Sequence, residues 1–209
     1  MIEITENMLD ALREDVMQKM SLKRFRHTVA VEQMVHRLSA LYCPDQSLHL
    51  RAAALLHDIT KECDTEKQIA LCEQYGLPVS AEDRLAPKTF HARTAAAVIA
   101  AEYPAFAHST VVSAVRWHTT GRADMTLTEK LLYLADYIDE SRSFENCVIL
   151  RRFFWGARPE ELTAEERNAL LRDTLILSYR MTVEDLLADG TPIAPDTVEA
   201  RNQLLLERQ

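Results

Sequence analysis

Apolar residues recur three and four positions apart through most of this 209-residue chain. This spacing places them on one face of an α-helix, and no segment shows the strict alternation that is typical of a half-buried strand. The sequence therefore predicts an all-α fold. We expect helices over residues 6–20, from a cap at Ser21 to about residue 42, and over 48–62, 65–75, 91–103, 105–118 and 126–140.

The length suits one domain with a substantial core, and no internal repeat or low-complexity segment divides it. We expect residues 1–209 to form a single domain. Residues 1–20 form a helix without a diagnostic motif, and residues from about 158 to 209 form a C-terminal helical part. A long amphipathic helix is predicted there from five apolar positions, Leu170, Leu171, Leu175, Leu177 and Met181.

The charge balance limits the choice of partners. The chain has 24 basic and 32 acidic residues and a formal net charge of −8, which disfavours a nucleic acid polymer but permits a small anion in a locally positive pocket. The four cysteines show no Cys-x-x-Cys spacing, and no signal segment or apolar run of about 20 residues is present. We expect a cytoplasmic protein with no membrane partner.

The adjacent pair His57 and Asp58 stands in an otherwise apolar segment, residues 52–59. A carboxylate buried there is costly unless a cation, a hydrogen-bond network or a metal compensates its charge. Together the two side chains offer nitrogen and oxygen donors, which suit iron, manganese or zinc better than calcium. The alternative is a solvent-facing pair at a helix end.

Four further ionisable residues lie on helix faces otherwise made of core residues: His27, His91, His118 and Asp136. A single buried histidine is more often a core residue than a ligand, so the metal-site interpretation depends on the group. The other histidines are predicted to be surface residues. His36 falls on the face opposite His27, and His49 and His108 stand beside helix starts without an apolar stripe.

The order of His27, the pair His57-Asp58 and Asp136 on successive helices resembles the HD-domain phosphohydrolase superfamily, a helical bundle. The added His91 and His118 are similar to the subset that holds two metals. Closer similarity is to the YqeK-type symmetrical bis(5′-nucleosyl)-tetraphosphatases, from about residue 21 to 203. The matching segments are 24–28, 55–61, 118–122, 134–138 and 195–202. Ala92 stands where that family tends to place a glycine.

The resemblance implies a dinuclear site and a reaction. His27, His57, Asp58 and Asp136 would hold one metal, and His91 and His118 the second, with Asp58 bridging. Iron is the expected metal, with manganese or zinc as alternatives. Two such cations would activate a water for attack on the middle of diadenosine tetraphosphate, releasing two ADP. Asp58 and Lys61 are the expected catalytic residues.

Substrate contacts are predicted from cationic and hydroxyl groups near these motifs. Lys61 follows His57 by one helical turn, and Arg142 follows Asp136 by six residues. Thr119, Thr120 and Arg122 surround Gly121. The glycine permits a left-handed turn, and the two threonines offer hydroxyl donors to phosphate. The alternative is that Arg122 and Arg142 are ordinary surface arginines that do not contact substrate. The sequence assigns neither a general acid nor the adenine contact.

Two other functions stay open. An HD-domain phosphohydrolase could act on a nucleoside monophosphate, a deoxynucleoside triphosphate or a signalling nucleotide. A non-catalytic nucleotide-binding module could keep the same bundle. The expected partner is a dinucleoside polyphosphate or another small nucleotide, and the sequence leaves a homodimer open.

Overall fold

The computed structural model describes residues 3–208, and within that range it contains helices and turns but no strand. The all-α prediction is confirmed. The α-helices are α1 Glu6–Lys19, α2 Leu22–Tyr42, α3 Ser47–Leu56, α4 Thr65–Gln74, α5 Ala81–Leu85, α6 Phe90–Glu102, α7 Ser109–Trp117, α8 Leu127–Ile138, α9 Glu145–Gly156, α10 Ala164–Ala188 and α11 Pro195–Leu206. Short 3₁₀ turns precede α3, α6 and α10.

Side-chain caps fix several helix starts. Ser21 accepts a hydrogen bond from the backbone nitrogen of Arg24 and so caps α2, as its position in the sequence predicts. Thr126 and Thr163 begin α8 and α10 with capping boxes, in which Glu129 and Glu166 bond back to the cap. These local signals place α2, α8 and α10 at defined points along the chain.

The third helix is shorter than predicted. It ends at Leu56, and residues 57–62 form successive turns, so His57 and Asp58 lie just beyond the helix. The backbone nitrogens of Ile59, Lys61 and Cys63 each bond to the carbonyl three residues earlier. Buried Thr60 also donates its hydroxyl to the His91 carbonyl on α6. Backbone hydrogen bonds between residues three apart thus replace the helical ones that the apolar pattern favours, and Thr60 links this segment to α6.

Two other boundaries differ from the prediction. The helix expected over 105–118 begins only at Ser109, because residues 104–106 form a turn that starts at Pro104. Helices α5 and α9 have no counterpart among the predicted segments, whereas α11 lies within the predicted C-terminal helical part. Helix α9 leaves Ile149 and Phe153 exposed, so its apolar residues do not all lie on one buried face.

The core is built around α3, which packs against α1, α2, α7 and α8. Ala52, Ala53 and Ala54 are fully buried, and their small side chains let the neighbouring helices approach α3 closely. The ends of these helices meet where His57 leaves α3. Within residues 3–208, no helix has both the length and the apolar character needed to cross a membrane.

Helices α9 and α11 both pack against α10, and α9 and α10 also pack against α8. The ring of Tyr179 on α10 stacks on that of Tyr133 on α8, with 4.7 Å between the ring centroids. Buried Gly121, in the turn after α7, has a φ of +65° and lies directly against Tyr179. The left-handed turn predicted at Gly121 is confirmed. The assignment of residues 158–209 to the same domain stays a prediction.

Candidate metal centre

The six predicted metal ligands come together in one cluster, although they belong to five different parts of the chain. His27 lies on α2, His57 and Asp58 follow α3, His91 lies in the first turn of α6, and His118 caps the end of α7, while Asp136 lies on α8. His57, Asp58, His91 and His118 are buried, and the side chains of His27 and Asp136 are 11% and 14% exposed. The cluster therefore opens to solvent on the side of α2 and α8.

Asp58 lies at the centre of this cluster. Its Oδ2 is 3.4 Å from His57 Nε2 and 3.8 Å from His27 Nε2. Its Oδ1 is 3.4 Å from His91 Nε2 and 3.9 Å from His118 Nε2. The two carboxylate oxygens thus face two different pairs of histidines, which is the geometry that a bridging carboxylate requires.

The remaining distances are equally short. Asp136 Oδ1 lies 2.9 Å from His27 Nε2 and 3.8 Å from His57 Nε2. The Nε2 atoms of His91 and His118 are 3.1 Å apart. Two triads have all their ligand atoms within 4.8 Å of one another: His27, His57 and Asp136, and His57, Asp58 and His118.

Backbone carbonyls orient three of the histidine rings. Nδ1 of His57 lies 2.6 Å from the Ala54 carbonyl oxygen, and Nδ1 of His118 lies 2.6 Å from that of Val115. Nδ1 of His91 lies 2.8 Å from the Lys88 carbonyl oxygen. Since a carbonyl only accepts, each Nδ1 carries the proton, and each Nε2 presents a lone pair to the cluster. His57 Nε2 is buried without a hydrogen-bond partner, as a ligand atom awaiting a cation would be.

His27 is oriented by side chains instead. Its Nδ1 lies 3.4 Å from Asp139 Oδ2 and 3.3 Å from the Ser141 hydroxyl. Asp139 is fully buried, and its Oδ1 accepts hydrogen bonds from the backbone and hydroxyl of Ser141. Asp139 was not among the predicted site residues, although it stands three residues after Asp136 as the C-cap of α8.

The electrostatics favour the ligating forms of most of these groups. Burial lowers the pKa of His118 to about 4. Burial also holds the pKa of His91 well below its usual value. Burial would raise the pKa of Asp58 and Asp136, but His57 at Asp58 and Arg142 at Asp136 outweigh it and hold both carboxyls well below the usual range. At neutral pH these carboxylates are charged and these imidazoles neutral.

His27 is the exception. Burial alone would lower its pKa, but hydrogen bonds to Asp136 and Asp139 raise it to about 9. A proton on His27 therefore competes with any metal for Nε2, so a bound cation displaces that proton.

Three cationic side chains border the cluster. Arg24 bonds to Asp58, Arg142 bonds to Asp136, and the Lys61 amino group lies 3.2 Å from His91 Nε2. Burial lowers the pKa of Lys61. Lys61 and Arg142 were predicted near the substrate, whereas Arg24 was not singled out. The signal was present, since Arg24 precedes His27 by three residues on α2 and so shares its face.

The three predicted substrate residues in the turn after α7 have different surroundings. The Thr119 hydroxyl lies 3.1 Å from His91 Nε2 and 3.2 Å from His118 Nε2, at the edge of the cluster. The Thr120 hydroxyl bonds instead to the Gly121 carbonyl. Arg122 pairs with buried Glu129 at 3.2 Å, so a carboxylate already offsets its charge. A substrate contact of Arg122 stays a prediction.

The histidines outside the cluster are His36, His49 and His108. His36 is exposed, as predicted. His49 and His108 were also predicted at the surface, but both are half-buried, and their rings contact each other with centroids 4.7 Å apart. They lie at the starts of α3 and α7, whereas the ligands His57 and His118 follow the ends of these two helices.

Four imidazoles and two carboxylates that converge among buried helices can hold divalent metal ions and leave positions open for water or phosphate. The fold and site define a helical metal-dependent hydrolase. The HD domain family matches residues 24–141, which include every residue of the cluster. This chain belongs to the HD domain family.

Two bacterial proteins are similar to this chain over nearly their full length. A protein of Halalkalibacterium halodurans named symmetrical bis(5′-nucleosyl)-tetraphosphatase is 32% identical over 188 residues, which cover 89% of this chain and 91% of the relative. A protein of Bacillus subtilis with the same name is 30% identical, covering 91% of this chain and 94% of the relative. A solved structure from Clostridium acetobutylicum, described as a predicted HD superfamily hydrolase involved in NAD metabolism, superposes with a TM-score of 0.81. It is 29% identical, covering 96% of this chain and 97% of that one.

Proposed function

We propose that this chain is a metal-dependent hydrolase that cleaves diadenosine tetraphosphate symmetrically. One water enters, the anhydride bond between the two middle phosphorus atoms breaks, and two ADP molecules leave. The observation that carries the proposal is the placement of Asp58, whose two oxygens face the His27-His57 pair and the His91-His118 pair. The shared name of the relatives supports the choice of substrate.

We assign the ligands as the resemblance implies. His27, His57, Asp58 and Asp136 hold one metal, and His91 and His118 hold the second, with Asp58 between them. When bound, the two cations acidify a water and offset negative charge on the attacked phosphoryl group. We propose iron, and the mixed nitrogen and oxygen donors also suit manganese or zinc.

The cationic side chains of the cluster bind the polyphosphate. Arg24 and Arg142 point at Asp58 and Asp136 from two sides, and Lys61 lies beside His91. A guanidinium can bond two phosphate oxygens at once, and the ammonium group adds a third positive charge. The Thr119 hydroxyl, next to His91 and His118, can donate to a phosphate oxygen. These groups orient the two middle phosphates of the polyphosphate for attack by water.

The test combines metal content with product analysis. The protein is purified without oxygen, its metals are measured, and it is incubated with diadenosine tetraphosphate. The proposal predicts transition metal in the protein and ADP as the nucleotide product. AMP and ATP as the main products would contradict symmetrical cleavage. Nucleotide binding without stoichiometric metal or turnover would instead indicate a non-catalytic binding module.

A further inference from the structure

A cavity of about 470 Å³ begins at the cluster and extends away from it. Asp136, Lys61 and Arg142 border it on the cluster side. Beyond them apolar side chains supply most of the lining, and threonine hydroxyls and the side chain of Lys88 supply the rest. The apolar residues include Leu85, Pro87, Leu186, Pro192 and Ala194. Its volume falls within the range of about 300 to 1,000 Å³ that is typical of small-molecule sites.

The far wall of this cavity comes from outside the HD match. That match ends at residue 141, whereas Thr182 and Leu186 lie on α10 and Pro192 lies in the connection to α11. The hydroxyl groups of Tyr137 and Thr182 are 3.0 Å apart, and Tyr137 follows Asp136 directly on α8. This hydrogen bond connects α10, which forms part of the far wall, to α8, which carries the predicted metal ligand Asp136.

A second cavity borders the cluster at Asp58, and its chemistry is different. It measures about 330 Å³, and charged side chains line most of it, including Lys19, Glu62, Asp64 and Lys67. An uncharged base and ribose gain more from apolar surface with a few hydroxyl groups than from a charged lining. Of these two cavities, the one beside Asp136 is the better match for a nucleoside.

We propose that the nucleoside of one ADP half of the substrate binds in the 470 Å³ cavity, between Leu85 and Leu186. This assignment rests on the proposed function for the identity of that half. The attached phosphates extend toward Lys61 and Arg142, which border the same cavity. Nucleoside binding is then determined largely by α10 and the connection to α11, outside the matched family domain.

Leu186→Trp tests the wall from α10, because an indole ring at this half-buried position fills the cavity. ADP and inorganic pyrophosphate are the probes, since both carry a diphosphate and only ADP carries a nucleoside. Their affinities are measured by calorimetry at the same manganese concentration. We expect ADP binding to weaken at least about tenfold and pyrophosphate binding to stay unchanged. Leu187→Trp is the matched control, because Leu187 is 67% exposed and does not line the cavity.

Leu85→Asn tests the opposite wall without risk to the core, since Leu85 is 64% exposed. It replaces an apolar contact of the cavity with a polar amide and adds no charge, so it should weaken ADP binding and leave pyrophosphate binding unchanged. If Leu186→Trp does not fold, Leu85→Asn is the deciding variant. Wild-type protein that binds ADP no more tightly than pyrophosphate, or variants that bind ADP normally, would overturn the nucleoside site even if two ADP are formed. Selective loss of ADP binding together with AMP and ATP as products would instead defeat only the proposed reaction.

Discussion

At the scale of single residues, His27 differs from the other cluster histidines in the group that faces its Nδ1. His57, His91 and His118 each face a backbone carbonyl, whereas His27 faces the Asp139 carboxylate at 3.4 Å. A carboxylate at Nδ1 makes the imidazole a more basic ligand and fixes its orientation. Asp139 is itself held by two hydrogen bonds from Ser141. It therefore acts through His27 as a positioning residue.

Asp139→Asn keeps the shape of this side chain and removes its charge. We expect metal affinity to fall by about 10- to 100-fold, because the ring of His27 loses a charged acceptor. The measurement is a metal titration of the purified protein, which does not depend on turnover. Glu140→Gln is the control, since the neighbouring Glu140 side chain is 65% exposed and lies outside the cluster. Equal affinities in wild type and Asp139→Asn would contradict the role.

His118→Ala tests whether a second metal exists. His118 is fully buried, and its Nε2 lies 3.9 Å from the oxygen of Asp58 that faces His91. The variant should lose one of two metals and most activity but remain folded, because the four ligands of the first metal survive. Metal content per chain and the circular dichroism spectrum are the readouts. His36→Ala, on an exposed face of α2, should change neither. Undiminished metal content in His118→Ala would argue against a dinuclear site.

At the scale of elements, local signals in the sequence predicted helix starts better than helix ends. Ser21 begins α2 through a hydrogen bond that needs only neighbouring residues. Turns follow the end of α3 at Leu56, and within them the Thr60 hydroxyl bonds to the His91 carbonyl on α6, 31 positions away. Apolar periodicity carries no information about such a partner. The prediction therefore ran α3 through to residue 62 and left His57 and Asp58 inside a helix.

The same distinction applies to the candidate site. Histidines and aspartates in apolar stripes were visible in the sequence, because burying a polar group signals a compensating partner. Burial in an apolar stripe does not distinguish the arginines that contact the cluster from those that do not. Arg24 contacts Asp58 across 34 positions, and Arg122 is bound by Glu129 instead of facing the cluster. Spacing places Arg24 on the same face of α2 as His27, but which carboxylate an arginine contacts depends on how the helices pack.

The turn after α7 gives a prediction about packing between elements. Gly121 has a φ of +65°, and an added Cβ would lie 1.8 Å from the Tyr179 hydroxyl oxygen on α10. Gly121→Ala should lower the free energy of unfolding by on the order of 3 kcal/mol, from backbone strain and overpacking together. Gly190→Ala is the matched control, because Gly190 has a φ of +62° and open space around it. It should cost only about 1 kcal/mol. Similar losses in the two variants, measured by urea unfolding, would contradict the close packing.

At the scale of the whole molecule, three cationic side chains gather at the cluster, where they balance the carboxylates of Asp58, Asp136 and Asp139. The chain has a formal net charge of −8, yet Arg24, Lys61 and Arg142 converge where the polyphosphate is proposed to bind. A local positive field is enough to attract a small anion to an acidic protein. Because the ligands come from α2, α6, α7, α8 and the turn after α3, the site exists only when these helices are packed together.

This arrangement predicts that metal binding stabilises the entire fold. An unfolded chain does not hold the six ligands together, so metal binds mainly the native state and shifts unfolding by mass action. At a free metal concentration of 100 times the Kd, the gain is about 2.7 kcal/mol per site. Thermal unfolding with added manganese and with a chelator should therefore differ by several degrees. Calcium is the control ion, because the cluster's imidazole nitrogens do not suit it. An unfolding midpoint that is the same with manganese, with calcium and with chelator would show that the cluster does not bind metal in the native protein.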